Sequence, residues 1–351
     1  MAYLCSRLKG PVVDVLGKPI GETLAMRIRL LGPEKLAVSA IGFGAPTFQG
    51  REPPGGSANA CDVIARAIDL GVTLIDTADH GDGNNEEVLK VALKGKRDRV
   101  VLASKFGNLR GWSSSKDTGK SVDGSPAYAR RSLEGSLRRL GTDRLDIFYL
   151  HRVDPALPIE DQIGGMVRLK EEGKIRHIGL SEAGPESIRR AAAVHPIAAV
   201  QSEYSLMTRA YEGDTIPVVK SLGIGFVPYY PLARGFFAGA ITQAPTDSRK
   251  SVPRFAAENL NRNLVLLTRL RMLAAAKGCT AGQIALAWLL HKGDFIVPIP
   301  GTNSIRHLEE NCAAADVTLT ASDMTRIEQI FSPANVRGAR FDRDRSSELN
   351  I

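Results

Sequence analysis

The segment GVTLIDTADHGDGNNEE, residues 71–87, places an acid and an imidazole where an apolar run gives way to a polar turn. Asp76 ends the apolar run, and His80 follows four residues later. Two further apolar runs end in a similar way, one at Lys105 and the next at His151. Buried carboxylates, ammonium groups and imidazoles must compensate one another or lose their charge. We therefore expect these four residues to share one site.

A site of this composition is suited to moving a proton to or from an oxygen atom. A lysine paired with a carboxylate can lower the pKa of a neighbouring proton donor, and an imidazole can orient a carbonyl oxygen by hydrogen bonding. None of these side chains can supply a hydride, so an oxidation or reduction here needs a bound cofactor. A metal-dependent hydrolase, with Asp76, His80 and His151 as ligands, is an alternative.

Eight apolar runs, each followed by a polar loop and a segment of helical period, have to position these residues. The predicted strands are residues 37–44, 72–76, 100–105, 145–151, 175–181, 197–202, 224–229 and 295–301. Helical patterns, in which apolar residues recur at spacings of three and four, lie in 58–71, 125–141, 158–174 and 184–195. Eight such units predict an α/β protein with a (β/α)8 TIM barrel, whose active face is formed by the carboxyl ends of the strands.

A doubly wound open sheet uses the same units and is the competing interpretation. The first strand runs into GFGAP, residues 42–46, which is not a GxGxxG fingerprint, and this favours the closed barrel. Residues 1–25 precede the first predicted strand and are interpreted as an extension, so that 26–351 form a single barrel. The long segment 232–279 is expected to fold over the mouth as a lid.

Composition argues against several other classes of protein. The net charge of +8 is spread along the chain without a basic block interleaved with aromatics, so no nucleic-acid partner is predicted. The four cysteines are far apart and lack CxxC or zinc-binding spacing, which indicates reduced thiols and a cytoplasmic location. The chain has no apolar run of about 18 residues, so no membrane span is expected.

Motifs at the ends of the strands together resemble the aldo-keto reductase superfamily. They are LIDTAD (74–79), ASKFG (103–107), LDIFYLHRVDP (145–155), IRHIGLSEA (175–183), AAVQSEYS (198–205), VPYYPLARG (227–235), VPIPGT (297–302) and LEEN (308–311). The resemblance covers roughly residues 26–345. Within the superfamily, the motifs resemble the branch of bacterial oxidoreductases related to potassium-channel β subunits. It implies an NADP-dependent enzyme, with NAD the alternative, that acts on small carbonyl compounds or sugar-like polyols, and it allows a homo-oligomer.

The resemblance also implies a nicotinamide cofactor that lies extended across the barrel mouth. Ser181 and Gln201 would hold its carboxamide, and Tyr229 would stack on its ring. Glu182 stands where the family usually has asparagine or a similar residue. The full implied set is Gly44, Ala45, Ser181, Glu182, Gln201, Tyr229, Pro231, Leu232, Arg234, Gly235, Pro300, Gly301, Thr302, Asn303, His307, Glu310 and Asn311.

The catalytic tetrad of the family is Asp, Tyr, Lys and His, and the resemblance maps it onto Asp76, His80, Lys105 and His151. The tyrosine normally stands five residues after the aspartate, whereas this chain is one residue shorter and has histidine there. Histidine starts from a pKa of about 6.5, against about 10 for tyrosine, and a neighbouring lysine lowers it further. A neutral imidazole is a weak proton donor but a serviceable base. We expect altered oxidoreductase activity, with a cofactor-binding or regulatory protein of weakened catalysis as the alternative.

The sequence leaves the choice between NADP and NAD open. Relatives that prefer NADP usually have a lysine or arginine just after the Gly-Thr pair, whereas this chain has Asn303 and Ser304. Arg306 and His307 are the next basic residues, and either could reach a 2′-phosphate. These residues do not decide between the two cofactors, and NADP is expected because of the family resemblance.

Overall fold

The computed structural model describes residues 26–45, 56–79, 84–109 and 120–341. Its strands are Ile28–Leu31 (β1), Leu36–Ser39 (β2), Phe43–Gly44 (β3), Leu74–Asp76 (β4), Val101–Phe106 (β5), Leu145–Leu150 (β6), Ile175–Ser181 (β7), Ile197–Glu203 (β8) and Gly225–Tyr229 (β9). Strands β3 to β9 form one sheet in which each strand pairs in parallel with the next. The predicted extension over 1–25 lies outside the described residues.

The sheet closes into a barrel through the extended segment 295–300, which lies between β9 and β3. On the β9 side, the Val297 N–H donates to the Phe226 carbonyl at 2.9 Å. On the β3 side, the Gly42 N–H donates to the Pro298 carbonyl at 2.9 Å. The prolines in this segment have no N–H to donate, so its ladder is incomplete. The predicted TIM barrel is confirmed, with its eighth strand present as this irregular segment.

The predicted first strand, 37–44, was wrong in its extent, because two elements occupy it. β2 pairs antiparallel with β1 as a hairpin, and only β3 belongs to the barrel. Between β2 and β3 the chain turns, and the Ala40 N–H donates to the Arg27 carbonyl at 2.7 Å. A continuous apolar run does not distinguish one buried strand from two short elements, which is why the pattern concealed this break.

The hairpin closes the end of the barrel opposite to the mouth. Leu31 and Val38 pack with the apolar side chains that fill the barrel interior. A Cβ atom on Gly225, the first residue of β9, would lie 2.4 Å from the Leu31 side chain. The carboxyl ends of the strands are therefore the end of the barrel that is left for a ligand.

Helices surround the sheet. They are Gly56–Asp69 (α1), Asn84–Ala92 (α2), Pro126–Leu140 (α3), Ile159–Glu171 (α4), Pro185–Val194 (α5), Thr215–Ser221 (α6), Ala257–Ala276 (α7), Ala281–His291 (α8), Ile305–Ala313 (α9) and Ala321–Ile330 (α10). The four predicted helices are confirmed as α1, α3, α4 and α5. Ser125 caps α3 at its start, and Gly141, with φ of 64°, ends it.

The prediction of a lid over 232–279 was wrong for its second half. Residues 257–276 form α7, which packs against α8 and α10 on the outside of the barrel. Its buried residues recur at helical spacing, and they include Leu260, Leu267 and Leu270. Residues 233–255 are irregular apart from short 3₁₀ turns, and Arg254 among them lies 3.9 Å from Glu203 at the end of β8.

Among the described residues, no single helix has the length and hydropathy needed to cross a membrane. The helices α7 and α8, bent by 85° relative to each other, meet that test of length and composition as a pair.

Candidate active site

Side chains that point into the barrel follow the two-residue period of each strand. The interior is lined by side chains from the middle of the strands, among them Leu74, Ala103, Ile147, Ala199 and Val227. Two residues further along each strand stand polar side chains, namely Asp76, Lys105, Tyr149, Gln201 and Tyr229. The period thus delivers polar groups from five strands to the carboxyl end of the barrel.

Lys105 and Asp76 form a buried ion pair at this end. The Lys105 Nζ atom lies 2.5 Å from Asp76 Oδ2 and 2.7 Å from the Thr77 carbonyl oxygen. The other carboxylate oxygen of Asp76 accepts a hydrogen bond of 2.9 Å from Gln201 Nε2. Asp76 is 6% exposed and Lys105 is 4% exposed, so water hardly screens the pair. Removing one partner would leave a buried unpaired charge, at a cost of about 3–5 kcal/mol.

The register of neighbouring strands explains why this pair forms. Asp76 of β4 is paired with Ala103 of β5, and Lys105 is the next inward-facing residue of β5. The Thr77 N–H donates to the Ala103 carbonyl at 2.9 Å, which carries the turn after β4 towards Lys105. On the other side, the Ala45 N–H donates to the Asp76 carbonyl at 2.8 Å. The structure thus brings Asp76 and Lys105 together, and their catalytic roles stay a prediction.

His151 follows β6 and stands at the same end of the barrel. Its N–H donates to the Phe106 carbonyl at 2.8 Å, and the residue is 8% exposed. Tyr149, two residues earlier, is the register partner of Lys105, so His151 is the next inward-facing position along β6. His80 lies outside the described residues, and its place beside the ion pair stays a prediction.

Tyr149, which the sequence analysis missed, fills the barrel beneath the ion pair. Its ring centroid lies 5.6 Å from Lys105 Nζ, and a Cβ atom on Gly179 would lie 2.3 Å from the ring. Burial first, and then the Asp76 carboxylate, raise the pKa of Tyr149 well above its usual value. The hydroxyl therefore keeps its proton, and Tyr149 is a poor candidate for exchanging a proton with a substrate. The inward-facing glycine on the next strand was the sequence signal for this tyrosine.

Asp79 is a buried carboxyl group behind the turn that follows β4. Ser132 of α3 donates to its Oδ2 atom at 2.7 Å, whereas no hydrogen-bond partner is found for Oδ1 in the part of the chain that the structure describes. Burial raises the pKa of Asp79 to about 7, with the Glu86 carboxylate adding to this effect and Ser132 and Arg139 opposing it. This carboxyl group, adjacent in sequence to His80, changes charge near neutral pH. Asp79 was not among the site residues predicted from the sequence.

Ser181 and Gln201, implied to hold a carboxamide, are register partners at the ends of β7 and β8. Both are buried, and Arg152 Nη1 lies 3.4 Å from the Ser181 hydroxyl. Because Gln201 Nε2 donates to Asp76, the implied carboxamide position and the ion pair are directly connected.

Glu182, which the resemblance implies at the cofactor, forms hydrogen bonds with three other parts of the chain. It is fully buried, and its carboxylate accepts hydrogen bonds from the Glu203 N–H at 2.9 Å, from Arg340 Nη2 at 2.8 Å and from the Tyr211 hydroxyl. Burial alone would raise the pKa of Glu182, but Arg340 and Arg152 outweigh it and hold the pKa below its usual value. Arg340 of the C-terminal segment thus engages this carboxylate, and its implied contact with a cofactor stays a prediction.

The loop after β9 has a strained backbone. Tyr230, Ala233 and Arg234 have φ angles of 47°, 48° and 58°, a region that costs a non-glycine residue about 1–3 kcal/mol. The Arg234 guanidinium lies 4.1 Å from the centroid of the Tyr230 ring and 3.7 Å from Glu203 Oε2. The residues implied to follow a pyrophosphate all belong to this loop, namely Pro231, Leu232, Arg234 and Gly235.

The residues implied at the adenosine end come from the turn before α9 and from α9 itself. The Ser304 hydroxyl accepts from the His307 N–H and caps the helix. Asn59 of α1 donates to the Asn303 carbonyl at 2.9 Å, which holds this turn in place. Arg306 Nη2 lies 2.7 Å from His307 Nε2, so two basic groups stand at a helix N-terminus. The implied residues here are Pro300, Gly301, Thr302, Asn303, His307, Glu310 and Asn311.

Close contacts join these separate segments into one rim. A Cβ atom on Gly301 would lie 2.6 Å from the Gly44 carbonyl oxygen, so the two backbones touch. A Cβ atom on Gly282 of α8 would lie 3.8 Å from Leu232 and 3.6 Å from Glu310. The implied pyrophosphate and adenosine segments are therefore neighbours in space.

In the described ranges, no group of three or more His, Cys, Asp or Glu side chains is arranged to hold a metal ion. The alternative of a metal-dependent hydrolase needs His80, whose position the structure does not describe.

Comparison with known proteins gives matches over most of the chain. The model of the aldo/keto reductase family matches residues 40–331. The protein named probable aldo-keto reductase 1, from Glycine max, is 42% identical over 318 residues, which cover 89% of this chain and 90% of that protein.

Solved structures show the same fold. An aldo/keto reductase from Klebsiella pneumoniae, in complex with NADP and acetate, is 29% identical with a TM-score of 0.69, and the match covers 90% of this chain and 98% of that one. A glycerol dehydrogenase from Gluconobacter oxydans is 26% identical with a TM-score of 0.78, and the match covers 92% of this chain and 98% of that one.

Proposed function

The chain belongs to the aldo/keto reductase family, and on this basis we propose that it is an NAD(P)(H)-dependent oxidoreductase that interconverts aldehydes or ketones and alcohols. The observation that carries the proposal is the buried pair of Lys105 with Asp76 at the carboxyl end of the barrel. In a site with little water, a fixed ammonium group stabilises negative charge on a reacting oxygen far better than it would in solution.

Each residue of the site has a proposed task in carbonyl reduction. When bound, the nicotinamide supplies the hydride, which no side chain here can do. Lys105 stabilises the charge that develops on the substrate oxygen, and Asp76 holds Lys105 in place. Gln201 fixes the Asp76 carboxylate through its other oxygen. His151 is proposed to orient the substrate oxygen by hydrogen bonding.

His80 is proposed as the group that exchanges a proton with the substrate oxygen, on its place in the motif alone. An imidazole with a pKa of about 6.5 or lower is protonated only in acid, so carbonyl reduction should be faster in acid and alcohol oxidation faster at neutral pH and above. Tyr149 does not take over this task, because its raised pKa keeps its proton in place. If His80 fails as a donor, the protein binds cofactor with weakened catalysis, which is the alternative function.

NADP is the proposed cofactor, with NAD as the alternative. The rim of the mouth suits an elongated anion, because Arg234 lies in the loop after β9 while Arg306 and His307 stand at the N-terminus of α9. The Klebsiella pneumoniae relative, crystallised with NADP, supports this choice. The motifs further support membership of the branch related to potassium-channel β subunits.

The proposed substrate is a small aldehyde or ketone, or the alcohol or polyol that corresponds to it. The glycerol dehydrogenase of similar fold supports a polyol. The loops 106–125 and 232–262 are proposed to shape the substrate pocket, and residues 110–119 of the first loop lie outside the described residues.

A two-stage experiment tests the proposed function. Titration of the purified chain with NADPH and with NADH, followed by cofactor fluorescence, measures binding. A panel of small aldehydes, ketones and polyols is then assayed in both directions from about pH 5 to about pH 9, where an imidazole changes charge. We expect saturable binding and turnover; binding without turnover at any pH would favour the alternative, and no binding would contradict both.

A further inference from the structure

We propose that Arg340 is a positioning residue for the cofactor, because it fastens the C-terminal segment to the ends of three barrel strands beside the mouth. The inference rests on the proposed function, since it assigns Arg340 to the cofactor site of that activity.

Arg340 contacts the residue directly after β7, the last residues of β8 and β9, and the turn that follows β8. Its Nη2 atom donates to Glu182 at 2.8 Å, and its Nη1 atom donates to the Tyr211 hydroxyl at 2.8 Å. Nη2 also lies 3.5 Å from the Tyr229 hydroxyl. Its Nε atom lies 3.7 Å from Glu203 Oε2. One planar guanidinium thus reaches four groups, a geometry that a lysine ammonium cannot reproduce.

The segment 337–341 is held on the molecule along its length. The buried Asn263 side chain pairs with the backbone of Arg337, donating to its carbonyl at 2.9 Å and accepting from its N–H at 2.9 Å. Arg254 Nε donates to the Gly338 carbonyl at 3.2 Å. Gly338 has φ of 83°, and a Cβ atom there would lie 2.7 Å from the Arg254 nitrogen, so only glycine allows this close approach. The backbone therefore delivers Arg340 to a defined place.

Residues with a strained backbone lie close to the residues that Arg340 contacts. Among the described residues, the non-glycine positions with φ in the left-handed region are Lys35, Glu182, Tyr230, Ala233 and Arg234. All except Lys35 lie within this network or in the loop directly after Tyr229. Strained conformations persist only where surrounding contacts fix them, and they concentrate at ligand-binding sites. Arg340 supplies such a contact to Glu182, and its neighbour Phe341 lies 5.5 Å from the Arg234 guanidinium.

The side chains around Arg340 form a network of opposite charges that compensate one another. Arg340, Arg254 and Arg234 approach Glu203, while Arg340 also pairs with the fully buried Glu182. The Arg340 Nε and Glu203 Oε2 atoms have no hydrogen-bond partner in the described part of the chain, and they face each other across 3.7 Å. A closer approach of less than about 1 Å would complete this hydrogen bond. A ligand stacked on Tyr229 would contact a side chain that this network holds in place. Binding of the ligand and the position of Arg340 should therefore stabilise each other.

Three variants of the full-length chain test the inference, with fluorescence titration of NADPH, or of NADH if the wild-type chain binds only that cofactor. Arg340→Lys keeps the buried positive charge and so protects folding, whereas Arg340→Met removes it. Arg337→Met is the matched control, because this side chain is exposed and its residue is held through the backbone. We expect the cofactor Kd to rise at least about tenfold in both Arg340 variants and to change less than about twofold in the control.

A second readout separates positioning from a merely structural role. At saturating cofactor, kcat of Arg340→Lys should stay within about threefold of wild type, since Arg340 touches no reacting atom in this proposal. Adding Glu182→Gln to Arg340→Met should recover part of the lost affinity, because the unpaired buried carboxylate is then gone. A wild-type chain that binds neither cofactor contradicts the proposed function itself. A wild-type chain that binds, with Arg340 variants as tight as Arg337→Met or with no recovery in the double variant, overturns this inference alone.

Discussion

Lys105 Nζ lies 2.5 Å from Asp76 Oδ2, and the two side chains come from neighbouring parallel strands. Lys105 stands two residues beyond the register partner of Asp76, so the strand period itself aims both into the barrel mouth. This relationship provides a fixed cation with little water around it, which is the main requirement of the proposed chemistry.

The His80→Tyr substitution tests the role of the imidazole at the general acid position. Tyrosine keeps its proton at neutral pH and can be drawn towards ionisation by Lys105, so reductase activity at pH 7 should rise by about tenfold or more, if the shorter turn lets the hydroxyl reach the same place. The pH–rate profiles of both proteins provide the measurement. A fall in activity at every pH would show instead that the imidazole has a role of its own.

Asp79 should make stability depend on pH. The carboxyl pKa is 3.8 in the unfolded reference and about 7 in the folded chain, so between about pH 4 and pH 7 the folded chain holds a proton that the unfolded chain has released. The free energy of unfolding is therefore highest below about pH 4, as far as Asp79 contributes to it. It falls as pH rises to about 7, by about 4 kcal/mol at most. Glu86 and Arg139 carry the other charges near Asp79.

The Asp79→Asn variant should flatten this dependence, because an amide does not titrate. Urea unfolding at about pH 5 and about pH 8 compares it with wild type, and Asp62→Asn, at an exposed position of α1, is the control. If wild type and Asp79→Asn lose the same stability between the two pH values, Asp79 is not the titrating group.

Gly301 should not tolerate a side chain. A Cβ atom there would lie 2.6 Å from the Gly44 carbonyl oxygen, and both contacts are backbone at the seam that closes the barrel. Gly301→Ala should therefore lose about 1–3 kcal/mol of unfolding free energy. Gly164→Ala, in α4 with no atom within 4 Å of the added Cβ, should leave stability unchanged or raise it by up to about 1 kcal/mol. Equal stabilities of the two variants would contradict the closure of the seam.

Arg306 should favour NADP over NAD. Its guanidinium is exposed beside His307 at the start of α9, where a 2′-phosphate would gain a charge-assisted hydrogen bond. Arg306→Met should weaken NADP binding by about tenfold and leave NAD binding nearly unchanged. Arg326→Met, at an exposed position of α10, is the matched control. A similar loss for both cofactors would indicate that Arg306 contacts a part that they share.

The barrel and the ion pair could be predicted because both depend on local periods. Three apolar runs end in Asp76, Lys105 and His151. If these runs are neighbouring parallel strands, the three residues must lie at the same end of the barrel. The hairpin of β1 and β2 was missed because the apolar run 37–44 hides its break, and the eighth strand is irregular because its prolines cannot donate to a ladder.

The rest of the site depends on contacts between distant parts of the chain. Arg340 and Glu182 are 158 residues apart, and nothing near either residue identifies the other as its partner. The resemblance compares positions along the chain, so it carries no information about this pairing. The raised pKa of Asp79 also depends on distant parts of the chain. It arises from burial under α3 and from the Glu86 carboxylate, and not from the motif that contains Asp79.

The Lys105→Met substitution tests the central claim most directly, because it removes the cation and leaves a side chain of similar length. Single-turnover oxidation of bound NADPH by a carbonyl substrate should slow by about a hundredfold or more, while the cofactor Kd stays within about twofold of wild type. Lys220→Met, at an exposed position of α6, should react like wild type. A folded Lys105→Met protein that oxidises NADPH as fast as wild type would contradict the assignment of catalysis to the Lys105–Asp76 pair.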